Sequence, residues 1–338
     1  MGVETKTWDV QVPGRRIDND AWRIRFHALT GTRPGPATAI VAGIIGDKPL
    51  AVLAVHELRR RLEKADLAGT VILVPAANVF GLQGGQRHNP DLIELNRRFP
   101  GKATGFLTDQ IAHTLITNLL EHVDCVVDLH SGTPGRTLHY SYDYGNLELS
   151  ASFGYLPVVV DRHVPGQLSQ AVVAAGGSSF LAEFGGAGAN DPAPGVEGCL
   201  NTLRYRGHLD DDPTGPNKVA VLDQVKVFLA SHEGAVDGRY GSADVGKPVE
   251  AGAIGWINNV VSGERVEEFV VEAVGETAGS GPGFDLWGPA LMRPFEVSEP
   301  PLLMLAPTCP AMVQPGEFTY AVGWPREWLD TPRPAGGG

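Results

Sequence analysis

Hydrophobic positions along the chain change period several times. From Trp22 to Ala28 bulky and polar residues alternate, the two-residue period of a half-exposed strand. Thr38 to Ile45 is a nearly unbroken run rich in branched side chains, as expected of a strand covered on both faces. Together they predict an edge strand followed by a central one. Pro49 to Leu67 shifts to helical spacing, with Leu53, Leu58 and Leu62 on one side and Arg59, Arg60, Arg61 and Lys64 mostly on the other. A strand at Val71–Val74, a helix over about Thr108–Glu121 and a strand at Cys125–Leu129 continue an alternating βαβ series.

Two further strands, Leu156–Val160 and Phe180–Phe184, bracket a short helix near Gln167–Ala175. A last helix is predicted near Val219–His232, ended by Gly234 as a C-cap. Beyond it the pattern becomes short β runs punctuated by turns such as Gly246-Lys-Pro, Ser262-Gly-Glu and Pro315-Gly-Glu. The predicted fold is α/β, a predominantly parallel mixed sheet flanked by helices, with a smaller all-β module. The expected units are 1–234 for the α/β domain, 235–326 for the β-rich module and 327–338 for a flexible tail.

Composition narrows the function classes. The 338 residues carry 27 Lys and Arg against 39 Asp and Glu, a net charge of −12, which opposes a broad footprint on nucleic acid or an anionic membrane. The longest nearly uncharged apolar stretch, Thr38–Gly46, is far short of the roughly 20 residues that span a bilayer. With no basic, apolar leader at the start, the expected address is cytoplasmic. Cys125, Cys199 and Cys309 are odd in number and widely spaced, which predicts small buried apolar residues and no disulfide framework. A homo-oligomer is compatible with all of this.

In an open parallel sheet, ligands sit beyond the carboxyl ends of the strands, so the polar residues that end each apolar run are the candidates. His130 leaves its strand two residues after Asp128, placed to hold a metal or relay a proton. The alternative is a histidine that only caps the strand. Glu183 ends an apolar strand before two glycines, where partial burial would raise its pKa toward that of a general base. The alternative is a solvated loop glutamate. Arg87 and Asn96-Arg97-Arg98 lie in a long loop where guanidinium groups are suited to clamp a carboxylate, or else to tie the loop down. No Walker loop, GxSxG turn or dinucleotide fingerprint is present.

In order, these fragments resemble the succinylglutamate desuccinylase and aspartoacylase family, relatives of the zinc carboxypeptidases. Its pattern is a Gly-x-His-Gly-x-Glu-Pro turn, an Asn-Arg-x-Phe-Pro-Gly loop, an Asp-Leu-His strand end and a Glu-x-Gly strand end. The resemblance spans roughly residues 38 to 325 and rests on Asn96-Arg97-Arg98-Phe99-Pro100-Gly101 and Asp128-Leu129-His130-Ser131-Gly132. It implies a zinc ion held by the first-motif His and Glu and by His130. It further implies Glu183 as catalytic base, a clamp of Arg87, Asn96 and Arg97, and hydrolysis of an N-acyl amino acid.

The first motif departs from that pattern. Gly43-Ile44-Ile45-Gly46-Asp47-Lys48-Pro49 keeps the turn glycines and the proline, but Ile45 stands where the ligand histidine belongs and Lys48 where the ligand glutamate belongs. If four ligands are worth about 10–16 kcal/mol, losing two removes roughly half of that. An ammonium about 4 Å from a dication adds about 8 kcal/mol of repulsion at an effective dielectric of 20. The expectation is therefore no conventional zinc site, with His130 the only retained ligand. Zinc survives as an alternative only if Asp47, His88 or His139 supplies replacement donors.

Three functions follow. The first is a repurposed enzyme acting on a small carboxylate-bearing metabolite, with Lys48 near the vacated metal position and Glu183 and His130 moving protons. The second is a non-catalytic carboxylate-binding protein. The third is a zinc-dependent deacylase with rearranged ligands.

Overall fold

The computed structural model describes residues 2–16, 18–160, 164–187, 190–279 and 294–333. The chain opens with the antiparallel pair β1 (Glu4–Arg15) and β2 (Ala21–Thr30), then β3 (Arg33–Ala42), α1 (Pro49–Leu62) and β4 (Ala68–Val74). The short helix α2 (Val79–Gly84), α3 (Leu107–Leu120), β5 (Cys125–Ser131), β6 (Arg136–Asp143) and α4 (Leu147–Ala151) come next. They are followed by β7 (Val158–Val159), α5 (Leu168–Ala174), β8 (Ser178–Gly186), α6 (Ala193–Tyr205) and β9 (Lys218–Leu229). Then come β10 (Gly234–Gly238), β11 (Gly252–Asn258), β12 (Arg265–Val271), β13 (Thr277–Ala278) and β14 (Phe295–Glu296). The last three strands are β15 (Leu302–Pro307), β16 (Ala311–Val313) and β17 (Phe318–Asp330).

Eleven strands form one sheet in the order β1-β2-β4-β3-β5-β8-β6-β15-β17-β9-β7. Its centre, β4-β3-β5-β8, is parallel, as the predicted βαβ series requires. Because a strand turns successive side chains to opposite faces, β5 is buried on both. Cys125, Val127 and Leu129 pack with α1 and α6, whereas Val126 packs with α3 and α5. The result is the helix-flanked mixed sheet of a carboxypeptidase-like fold.

Beyond β8 the sheet curls. β6, β15, β17 and β9 are successive neighbours, and β7 pairs with both β9 and β6, so these five strands close a ring. A separate four-stranded antiparallel sheet, β12-β11-β10-β16, encloses its own apolar cluster with Val236, Ile254, Ile257 and Phe269.

Several sequence expectations need correction. Val219–His232 is not a helix: Lys218–Leu229 is strand β9, paired along its length with β17. Val219, Val221, Val225 and Val227 sit at odd positions, a two-residue period of branched side chains that the density of apolar residues obscured. Strand β2 is not an edge, because β1 covers it. Leu53 is exposed, and the buried face of α1 carries Leu50, Ala51, Ala54, Val55, Leu58 and Leu62 instead.

The chain after residue 234 also returns to the large sheet, since β15 and β17 pair there with β6 and β9. β17 runs through Asp330, so residues 327–330 are strand rather than tail. Cys125 and Cys199 are buried free thiols, whereas Cys309 is only half-buried. Among the described residues no helix is long and apolar enough to cross a membrane.

Candidate functional site

The site forms where the parallel strands end. In the register of the sheet, His130 on β5 lies beside Glu183 on β8, and Glu183 lies beside Tyr140 on β6. Residues in register on adjacent strands point to the same face, so the three side chains make a row across the sheet. Gly132 allows this crowding: a Cβ there would fall 2.2 Å from the Arg136 carbonyl oxygen and 2.3 Å from that of Gly185.

Lys48 comes from the turn between β3 and α1. It is the residue before α1, whose first residue is Pro49, and no side chain caps that helix end. Gly46 is pressed against the α2 turn, where a Cβ would meet the Gly81 carbonyl carbon at 2.0 Å. Asn78 fixes the other side of the turn by accepting from the Gly81 amide and donating to the Ile44 carbonyl oxygen. The turn so held delivers Lys48 inward. Its side chain is 8% exposed and its Nζ donates to Glu183 Oε2 at 2.8 Å. Neither side chain is solvated, which rules out the loop-glutamate alternative for Glu183.

Burial pushes the Glu183 carboxyl up, but Lys48, His130 and Arg87 outweigh it and hold the group below the usual carboxylate range. This corrects the expectation of a raised pKa. Burial alone would raise it; Lys48, Arg87 and the His130 ring beside it reverse the sign. Glu183 is consequently held as a carboxylate beside the Lys48 ammonium. Next to it, burial and the Glu183 charge push the Tyr140 phenol well above its ordinary value, so it stays protonated.

His130 Nε2 lies 2.8 Å from Asp128 Oδ1 and 3.4 Å from Asn96 Nδ2. Asn96 is buried, and its Oδ1 accepts from the Leu168 amide at 2.9 Å, which binds the long loop to the start of α5. Asn96 is thus turned toward Asp128 and His130 rather than into the cavity. Arg87 and Arg97 are about two-fifths exposed and share Glu94, with Arg87 making a two-point contact at 2.9 and 3.0 Å and Arg97 one at 3.0 Å. Arg98 is a structural residue on Asp109 at 2.6 Å.

Lys48, Arg87, Arg97, Tyr140 and Glu183 line a cavity of about 190 Å³, whereas His130 lies behind its described wall, beside Glu183. Lys48, Arg87, Arg97, Arg136 and Glu183 supply its charges among the described lining residues, four cationic and one anionic. A chain with net charge −12 therefore presents a locally positive pocket, the arrangement that attracts an anionic ligand.

Residues 34–194 match the succinylglutamate desuccinylase/aspartoacylase catalytic domain. The chain is homologous to that family. A stretch of 232 residues is 32% identical to the N-alpha-acetyl-L-2,4-diaminobutyric acid deacetylase of Halomonas elongata, covering 63% of this chain and 66% of the relative. Its fold matches the succinylglutamate desuccinylase/aspartoacylase structure from Rhodobacter sphaeroides, with a TM-score of 0.74 at 20% identity over 97% of this chain and 96% of that one. It also matches the product-bound ectoine utilization protein EutE (DoeB) from Ruegeria pomeroyi, with a TM-score of 0.74 at 20% identity and 96% of each chain covered.

The zinc ion implied by this family does not fit the residues in place. Ile45 offers no donor and is buried in the core cluster that includes α3. The Lys48 ammonium is directed at Glu183, and its charge repels a dication. His130 Nε2 is already engaged with Asp128. Asp47 Oδ1 is buried without a hydrogen-bond partner, but one carboxylate oxygen does not restore a four-donor set. Among the described residues, Asp47, His88 and His139 included, no group of three His, Cys, Asp or Glu side chains converges to hold a metal.

Four participants were not singled out by sequence. Glu94 holds both arginines, and its position three residues before Arg97 and seven after Arg87 was an available signal. Tyr140 and Tyr142, with Leu138, line the cavity from β6. Their alternation in Leu138-His139-Tyr140-Ser141-Tyr142 is a clear two-residue period.

Proposed function

We propose that the protein is a repurposed member of this hydrolase family that transforms a small, N-acyl-amino-acid-like carboxylate without a conventional zinc site. The carrying observation is the 2.8 Å contact between Lys48 Nζ and Glu183 Oε2 at the edge of a cationic cavity. Arg87 and Arg97 together outnumber the single Glu94 carboxylate that they share, which leaves positive charge to receive the ligand's carboxylate.

In this reading the Lys48 ammonium hydrogen-bonds the carbonyl oxygen of the substrate and stabilises the negative charge that develops there. Glu183, kept ionised by its neighbours, accepts a proton from water or from the substrate carbon next to the carbonyl. His130, positioned by Asp128 and Asn96, is the group through which that proton is relayed. Amide hydrolysis demands strong activation, so elimination, isomerisation or transfer of a more reactive acyl group suits this machinery better.

A second reading, a carboxylate-binding protein without turnover, draws support from the mutual neutralisation of Lys48 and Glu183. The discriminating experiment incubates a panel of N-acyl amino acids with wild-type protein and with Lys48→Ala, and follows products by mass spectrometry. Turnover by the wild type that disappears in the variant supports the enzyme. Binding by both with no product supports the binding protein, and full activity in Lys48→Ala rejects the role given to the lysine.

A further inference from the structure

The cavity has two chemically distinct halves, arranged by the sheet order. The loop that carries Arg87 and Arg97 is joined through Asn96 to Asp128 and His130 on β5. Glu183 follows on β8. Beyond it come β6, β15, β17 and β9, four members of the closed five-stranded ring. These four contribute Leu138, Val225, Val227, Met304, Leu305 and Phe318 to the cavity wall. Passing across the sheet, a ligand meets guanidinium groups, then the Lys48–Glu183 pair, then an apolar mouth.

Ionisable groups are scarce on that far side. Among the described lining residues Glu183 is the only carboxylate, and Lys48 engages it. Arg136 reaches the cavity from β6, but its Nε donates to the Phe318 carbonyl oxygen at 2.7 Å and its Nη2 lies 3.6 Å from Glu317. Its guanidinium thus anchors the start of β17. An amino group placed in this half would lose its hydration with no free described carboxylate to replace it, and a second carboxylate would find only Arg136, whose guanidinium already serves Phe318 and Glu317. An alkyl group there gains by leaving water.

We infer that the substrate class is an N-acyl amino acid whose acyl arm is a short hydrocarbon chain, seated in the mouth of the β ring. The inference rests on the proposed function for the placement of the carboxylate and goes beyond it in naming the arm on the other side of the reacting carbonyl. A cavity of about 190 Å³ lies below the roughly 300–1,000 Å³ of sites for drug-sized ligands. The chain it takes is therefore compact, and specificity for it resides in the ring strands rather than in the strand-end motifs.

The test is calorimetric titration of the full chain with acetyl-, butanoyl-, hexanoyl- and octanoylglycine, which needs no turnover. Affinity is expected to rise about fourfold for each added methylene until the cavity is filled, and then to fall. Hexanoylglycine should bind at least about tenfold more tightly than 6-aminohexanoylglycine or succinylglycine, as expected from the cost of stranding a charge. Phe318→Ala, at a position 39% exposed and tolerant of truncation, should weaken hexanoylglycine about tenfold and leave acetylglycine nearly unchanged. Affinity that is flat along the series, or higher for the charged arms, overturns the inference. Hexanoylglycinamide separates the two ideas: undiminished binding without the carboxylate rejects the proposed function, whereas loss of the chain-length trend alone rejects the apolar arm.

Discussion

Lys48 Nζ donates to Glu183 Oε2 at 2.8 Å across a sequence separation of 135 residues, with both side chains at most 10% exposed. Two charges removed from water are costly unless each answers the other. This pair therefore joins the strand-end turn before α1 to the end of β8, and it occupies the part of the fold where the related family pattern has a metal ligand and a catalytic base.

Removal of one partner should cost more than removal of both. Lys48→Met leaves an unpaired buried carboxylate and is expected to destabilise the fold by about 3–5 kcal/mol in urea titration. The double variant Lys48→Met/Glu183→Leu should recover most of that loss. Equal stabilities for the single and double variants would show that the pair is not coupled.

The pair also sets an acid limit. The folded pKa of Glu183 is depressed, so its contribution is fully present above the ordinary carboxylate range. It is lost as the pH falls through that range to the lower folded value. Thermal unfolding curves taken downward from pH 5 should show this loss, and Glu183→Gln should reduce it.

His208 acts in a higher window. It is fully buried, with Nδ1 donating to the Ala68 carbonyl oxygen at 2.8 Å and Nε2 2.8 Å from Thr38 Oγ1. Burial pushes its pKa down to about 4. An imidazole neutral in the fold but protonated in the unfolded chain stabilises above about pH 6.5, and that stability disappears as the pH falls to about 4. Roughly 3 kcal/mol is expected to be lost across the window. A pH-independent Tm there would contradict it.

Substrate capture should respond separately from chemistry. Arg87→Ala is expected to raise KM about tenfold with little change in kcat, because a charge-assisted contact at a half-exposed site is worth about 1.5 kcal/mol. Arg97→Ala should behave alike, since both guanidinium groups share Glu94. A fall in kcat at constant KM would place these arginines in the reacting centre instead.

Much of the α/β half was legible because its signals are local. The unbroken branched run at Thr38 and the strand ends at His130 and Glu183 each reflect a strand covered by helices on both faces. The ring was not legible, since β9 acquires its identity from pairing with β17, about a hundred residues later. Departures at Ile45 and Lys48 could be read as losses of donors. Their consequence for Glu183 could not, because the sign of its pKa shift depends on Lys48, His130 and Arg87, which only the fold brings together. Nor could Asn96 be assigned, since its amide serves His130 and α5 rather than the cavity.

The most direct measurement is a crystal structure of the protein grown with excess zinc, read at the space beside His130. The expected result is density for the Lys48 ammonium on the Glu183 carboxylate, with His130 still on Asp128 and no ion between them. A fully occupied divalent ion coordinated by His130 and further protein donors, with Lys48 swung away, would contradict the zinc-independent site and return metal-assisted deacylation to first place.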